Sequence, residues 1–111
     1  MKRVKLNQFI EDSVFAENIF KDIDVKAVMF YLTFSDSYVF MLSPEVSYSQ
    51  GLTKFDNGRT DLHISIKSME TADTGDDGLM LGNGNETIVF VLNKKDSLEV
   101  ESRLIESGYI G

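Results

Sequence analysis

A chain of 111 residues, 42% of them hydrophobic and none of them cysteine, has enough apolar side chain for one packed core. The same composition excludes a disulfide scaffold, a thiolate metal site and a cysteine nucleophile. A net charge of −7 disfavours direct contact with nucleic acid or anionic lipid, and it favours basic partners.

Met1 to Leu6 is basic, but no apolar signal core follows before Glu11 and Asp12. No run approaches the roughly 20 apolar residues that span a bilayer. The expectation is a cytoplasmic protein folded as a single domain over residues 1–111.

Val4 and Leu6 read as a short strand or as the lead-in to a helix. The first helix is predicted over residues 13–23, where Phe15, Ile19 and Ile23 are four apart and Ala16 and Phe20 widen the stripe. Asp12 or Ser13 can cap its amino end. The apolar run at 25–42 follows, split by Ser35-Asp36-Ser37. Val28, Phe30, Leu32 and Phe34 alternate with Met29, Tyr31 and Thr33, which predicts a hairpin with the run from Tyr38 to Leu42. Because both faces carry large side chains, the hairpin is expected in the middle of a sheet. Pro44 lacks an amide donor and should close it.

Residues 45–58 are the least regular stretch, ending in the Asp56-Asn57-Gly58 turn signal. Leu62, Ile64 and Ile66 then alternate with polar residues as in a half-buried strand. Residues 68–78 are polar, glycine-bearing and acidic, and are expected to form an exposed, mobile loop free of metal. Leu79–Leu81 and Thr87–Leu92 predict a second hairpin across an Asn/Gly turn, with Ile88, Phe90 and Leu92 on one face. The last helix is predicted to open at Asp96, with Glu99 completing a capping box and Leu98, Val100, Leu104 and Ile105 forming its stripe. Gly108 is placed to end it, and Tyr109 and Ile110 to fold back onto the core.

The order of elements implies an α+β fold: a two-layer sandwich of one mostly antiparallel sheet of four to six strands, with an amino-terminal and a carboxy-terminal helix. Phe30, Leu32, Phe40, Ile64, Phe90 and Leu104 are the predicted core residues.

Catalytic signals are weak. His63 is the only histidine, and it lies on the polar side of its strand with no nucleophile motif in view. Asp73-Thr74-Gly75-Asp76-Asp77-Gly78 resembles a calcium loop only in part: counted from Asp73, the third position is Gly75 and the twelfth is Gly84 where glutamate is needed. Gly75, Gly78, Gly82 and Gly84 lack the lysine and following helix of a phosphate loop. Lys2, Arg3 and Lys5 are too few to hold a phosphate backbone against the net charge.

Two acidic groups remain. Between Lys67 and Lys94 the chain has no basic residue but carries Glu70, Asp73, Asp76, Asp77 and Glu86; earlier come Glu11, Asp12, Glu17, Asp22 and Asp24. The reading is a small non-enzymatic interaction protein without cofactor or metal. It would bind and inhibit a basic macromolecule, such as a nuclease or other nucleic-acid-handling enzyme, through Glu70, Asp73, Asp76, Asp77 and Glu86. The alternative is a small-molecule-binding module with a pocket between sheet and helix, lined by Tyr31, Tyr48 or Phe55.

Overall fold

The computed structural model describes residues 3–111. In chain order they form β1 (Arg3–Lys5), a helical segment α1 (Asp12–Val14) that widens into a π-turn (Phe15–Ile19), β2 (Ala27–Leu32), β3 (Ser37–Leu42), β4 (Glu45–Ser49), β5 (Leu52–Asp56) and β6 (Asp61–Ile64). A 3-10 turn (Ile66–Ser68) leads to β7 (Thr71–Gly75), β8 (Gly78–Gly82), β9 (Glu86–Val91) and α2 (Lys94–Glu106). Every strand pair is antiparallel, in one sheet ordered β1-β7-β8-β9-β2-β3 and a second ordered β4-β5-β6. The α+β class holds. The predicted layering does not, because the strands divide between two sheets rather than one, and the amino-terminal helix is a short wound turn.

Phe90 sits at the centre. Its ring lies 5.5 Å from Phe15, 4.9 Å from Phe20 and 5.8 Å from Phe55, so one side chain of β9 joins the six-stranded sheet, the π-turn and the three-stranded sheet. The π-turn explains the correction to the first helix. Its wider winding, with the Phe20 amide donating to the Phe15 carbonyl, brings residues five apart onto one face, and the two rings meet at 4.7 Å. An α-helix continued to residue 23 would have turned Phe20 away. Asp12 is not an exposed cap, either. It is buried, and its carboxylate accepts from Thr53 Oγ1 at 2.8 Å and from the Ile66 amide at 2.7 Å.

The β2–β3 hairpin forms, but β3 lies at the edge of the sheet. After Leu42 the chain turns through Ser43 (φ 48°) and Pro44 into the second sheet, so among the described residues no strand pairs with the far side of β3. Phe40, predicted as core, is therefore 53% exposed, while Phe30 and Leu32 are half-buried. Ile64, Phe90 and Leu104 are buried as predicted.

Residues 45–58, read as irregular, are a hairpin: Gln50 (φ 52°) and Gly51 (φ 85°) form a two-residue turn with both central residues left-handed. Residues 68–78 are not a loop either, since β7 pairs with β1 on one side and β8 on the other. The positions of β7 that face the core are Ala72 and Thr74, too small or too polar to announce a strand. Thr74 Oγ1 donates to Glu101 of α2.

In α2 the seated stripe is Ser97, Val100 and Leu104, while Leu98 and Ile105 are half exposed. The cap is Asn93, whose Oδ1 accepts from the Asp96 amide at 2.7 Å. Glu99 pairs instead with Arg103 at 2.9 Å. The Arg103 Nη1 donates to the carbonyls of Asn18, Ile19 and Lys21, closing the unpaired end of the π-turn. Beyond the helix, Gly108 (φ 80°) donates to Ile105 and Tyr109 donates to Leu104, and the buried Tyr109 and Ile110 return to the core as predicted. Among the described residues no helix is long and apolar enough to cross a membrane.

Both helical segments and the second sheet cover the same face of the six-stranded sheet. Among the described residues no element covers the other face. There β9 presents Thr87, Val89 and Val91, β2 presents Ala27, Met29 and Tyr31, and β3 presents Tyr38, Phe40 and Leu42, with no charged side chain among them.

Candidate docking surface at one end of the sheet

The acidic residues singled out by sequence divide between the two ends of the six-stranded sheet. Asp76 and Asp77 form the exposed turn between β7 and β8. Glu70 precedes β7 and Glu86 opens β9, at the opposite end and about 15 Å away at some 3.3 Å per residue. Asp73 lies between them on the uncovered face, half-buried and in register with Arg3. Arg3 and Lys5 belong to β1, and Lys2 is outside the described residues. At the Glu86 end, Asn83 organises the turn: its Oδ1 accepts from the Asn85 and Glu86 amides, and its Nδ2 donates to the Ser68 carbonyl.

The end that holds Asp76 and Asp77 also takes in Asp22 and Asp24 from the earlier acidic run. The Leu92 amide donates to the Asp77 carbonyl, which fixes this turn beside the start of α2. Asp96, in the first turn of that helix, accepts from the Asp24 amide at 3.1 Å. Asp24 in turn lines a groove of about 520 Å³ together with Asp22 and Glu45, floored by Phe20, Val25 and Pro44. The result is a rim of carboxylates running Asp76, Asp77, Asp96, Asp24, Asp22 and Glu45, drawn from four separate stretches of chain. Lys94 and Lys95 stand near it on α2, and Lys26 is held by Asp24 at 2.6 Å. The hydrogen bond from Lys26 to the Asp24 carboxylate, followed by the pair's direct attraction, raises the ammonium above its ordinary pKa.

Sequence reasoning listed Asp22 and Asp24 as a separate acidic group and passed over Glu45 and Asp96. No local signal joins them, because the hydrogen bonds from the Asp24 amide to Asp96 Oδ2 and from the Leu92 amide to the Asp77 carbonyl link stretches distant in sequence. The one cue is at Asp22, whose left-handed backbone (φ 60°) turns the chain into the groove.

The other candidates fall into ordinary positions. His63 is exposed on β6 and faces Lys54 across the strand pair. Among the described residues no group of three histidine, aspartate or glutamate side chains is arranged to hold a metal ion. Gly78 serves strand pairing: a Cβ there would overlap the Phe90 carbonyl. Tyr31, Tyr48 and Phe55 are not brought together: Tyr31 lies on the uncovered face, Tyr48 is exposed on β4, and Phe55 is fully buried against Phe90. A separate groove of about 530 Å³ lies beside the exposed Phe9, between the segment after β1 and Met69–Glu70.

The chain matches no protein-family model, and no curated protein or solved structure is significantly similar to it. Its functional reading rests on its own geometry.

Proposed function

We propose that this protein is a non-enzymatic interaction protein that binds, and by occupancy inhibits, a basic macromolecule, with a nuclease or other nucleic-acid-handling enzyme as the partner class. The observation that carries this reading is the carboxylate rim: Asp76 and Asp77 lie at the same end of the sheet as Asp22, Asp24 and Glu45, and the last three border a groove. A basic cleft built for phosphates presents cations at similar spacing, and a rigid set of carboxylates complements it without an ordering cost. Asp22, Glu45, Asp76 and Asp77 are the exposed members without a salt-bridge partner among the described residues, and they form the contact set. Asp73 flanks it. Glu70 and Glu86, at the far end, lie outside the proposed contact.

The test is quantitative affinity capture from the source cells, with the wild type and two variants as parallel baits. In one variant Asp22, Asp76 and Asp77 become Asn and Glu45 becomes Gln; in the other only Glu70 and Glu86 become Gln. A basic protein held by the wild type and the second variant but lost from the first is the expected result. Its association rate should fall as salt rises, since exposed charges are screened over about 8 Å at physiological ionic strength. Equal capture by all three baits, or loss only with Glu70 and Glu86, would overturn the assignment.

A further inference from the structure

We propose that the uncovered face of the six-stranded sheet docks a second copy of this chain about a two-fold axis parallel to the strands. Three observations support it.

The first is relief. On β3, Tyr38, Phe40 and Leu42 stand up as a ridge, exposed by 66%, 53% and 63%. On the other side of the same face, where Gly75 and Gly78 bring no side chain, lies a depression of about 310 Å³ walled by Met80, Val89 and Val91 and bordered by Asp73 and Asp77. Ridge and depression are separated by β9 and β2.

The second is register. Cross-strand rows place Leu42 level with Gly78, Phe40 level with Met80, and Tyr38 level with Gly82. A two-fold axis running along the strands above the line between β9 and β2 exchanges β3 with β8 while keeping height along the strand. Leu42 of one copy then faces Gly78 of the other, and Tyr38 faces Gly82, within the ~30° rotation usual for aligned sheets. At the two ends of the ridge a large residue meets a glycine, and between them Phe40 faces the flexible Met80. In an isologous contact the same match occurs twice.

The third is charge and area. Two chains of net charge −7 repel, so they can meet only through a face without charge. From β8 to β3 the face has none. Asp73, on β7, and Asp77, in the turn before β8, border the depression just outside the rows that face the partner's β3. The exposed apolar parts of this face amount to on the order of 600 Å² per copy, given side chains of 150–250 Å² each. Doubled, that reaches the lower bound of roughly 1,200 Å² for a stable interface.

The test is sedimentation equilibrium of the full chain from low micromolar to millimolar concentration, with circular dichroism as the check on folding. The wild type should reach twice the monomer mass. Leu42→Lys, or Val91→Lys should the first fail to fold, should weaken dimerisation at least about tenfold. A chain monomeric throughout, or a dimer unaffected by a folded variant, would overturn the proposal. Because the chain has no cysteine, a mixture of Phe40→Cys and Met80→Cys proteins tests the register. Oxidation should join Phe40→Cys to Met80→Cys in preference to Phe40→Cys to itself. The reverse preference, expected if two β3 edges paired, would also overturn it.

Discussion

The two faces of the six-stranded sheet are made by the same strands, yet only one of them is the core. On the covered face Val28, Met41, Leu79, Leu81, Ile88 and Phe90 are buried beneath the π-turn, α2 and the second sheet. On the uncovered face Tyr38, Phe40, Leu42 and Val91 keep 41% or more of their surface in water. Hydrophobicity at strand period therefore marks what can be buried, while the element that arrives on top decides what is buried. Stability should reside on the first face and recognition on the second and along the acidic rim.

The sharpest way to break this comparison is to truncate one aromatic residue on each face. Phe90→Ala removes a ring that touches three others, and a cost of about 3–5 kcal/mol is expected in urea unfolding. Phe40→Ala on the opposite face should cost about 1 kcal/mol or less. Similar losses at both sites would mean that the two faces do not differ as described.

The next effect concerns how the covering layer is held. Asp12→Ala leaves Thr53 and the Ile66 amide without their buried acceptor, and a loss of about 2–4 kcal/mol is expected by chemical denaturation. Asp12→Asn, which keeps one acceptor oxygen, should lose less. Arg103→Ala frees the carbonyls at the end of the π-turn and should cost about 1–2 kcal/mol. Amide exchange should then quicken at residues 15–23 and leave β9 unchanged.

The smallest effect lies on the uncovered face itself. Tyr31 donates to Asp36 Oδ1 at 2.6 Å, and this hydrogen bond to a carboxylate, aided by partial desolvation, raises the phenol above its usual range. A group whose pKa is raised on folding contributes stability below its unfolded pKa, about 10 for tyrosine, and loses it as pH climbs through the folded value. Ultraviolet titration should show Tyr31 ionising above the ordinary tyrosine range. Asp36→Asn should return it to the ordinary range, and an unchanged titration would show that the bond does not form in solution.

Much of the local structure was legible in the chain. The alternation of Ile88, Phe90 and Leu92, the Asn/Gly turn before them, the 27–42 hairpin and the Gly108 stop each depend on neighbours within a few residues, and each appears as read. Three features were not legible. β7 hides its strand because its core-facing positions are Ala72 and Thr74, and a strand flanked on both sides needs no large residue there. Phe15 and Phe20 pack together only because the helix widens, which no α-period predicts. The carboxylate rim exists because the Asp24 and Leu92 amides, bonded to Asp96 Oδ2 and to the Asp77 carbonyl, join stretches distant in sequence.

The sequence by itself determined the α+β composition, the turns, the aromatic anchor at Phe90 and the excess of negative charge, since these follow from short-range periodicity and from counting. Tertiary structure alone decided that the strands would divide into two sheets, that β3 would be an edge, and which apolar face would stay bare. It also decided which acidic residues stand together. The reason is that pattern and propensity act over a turn or a strand, whereas covering a face requires another element to reach it, and the geometry of the connecting chain sets where that element can go.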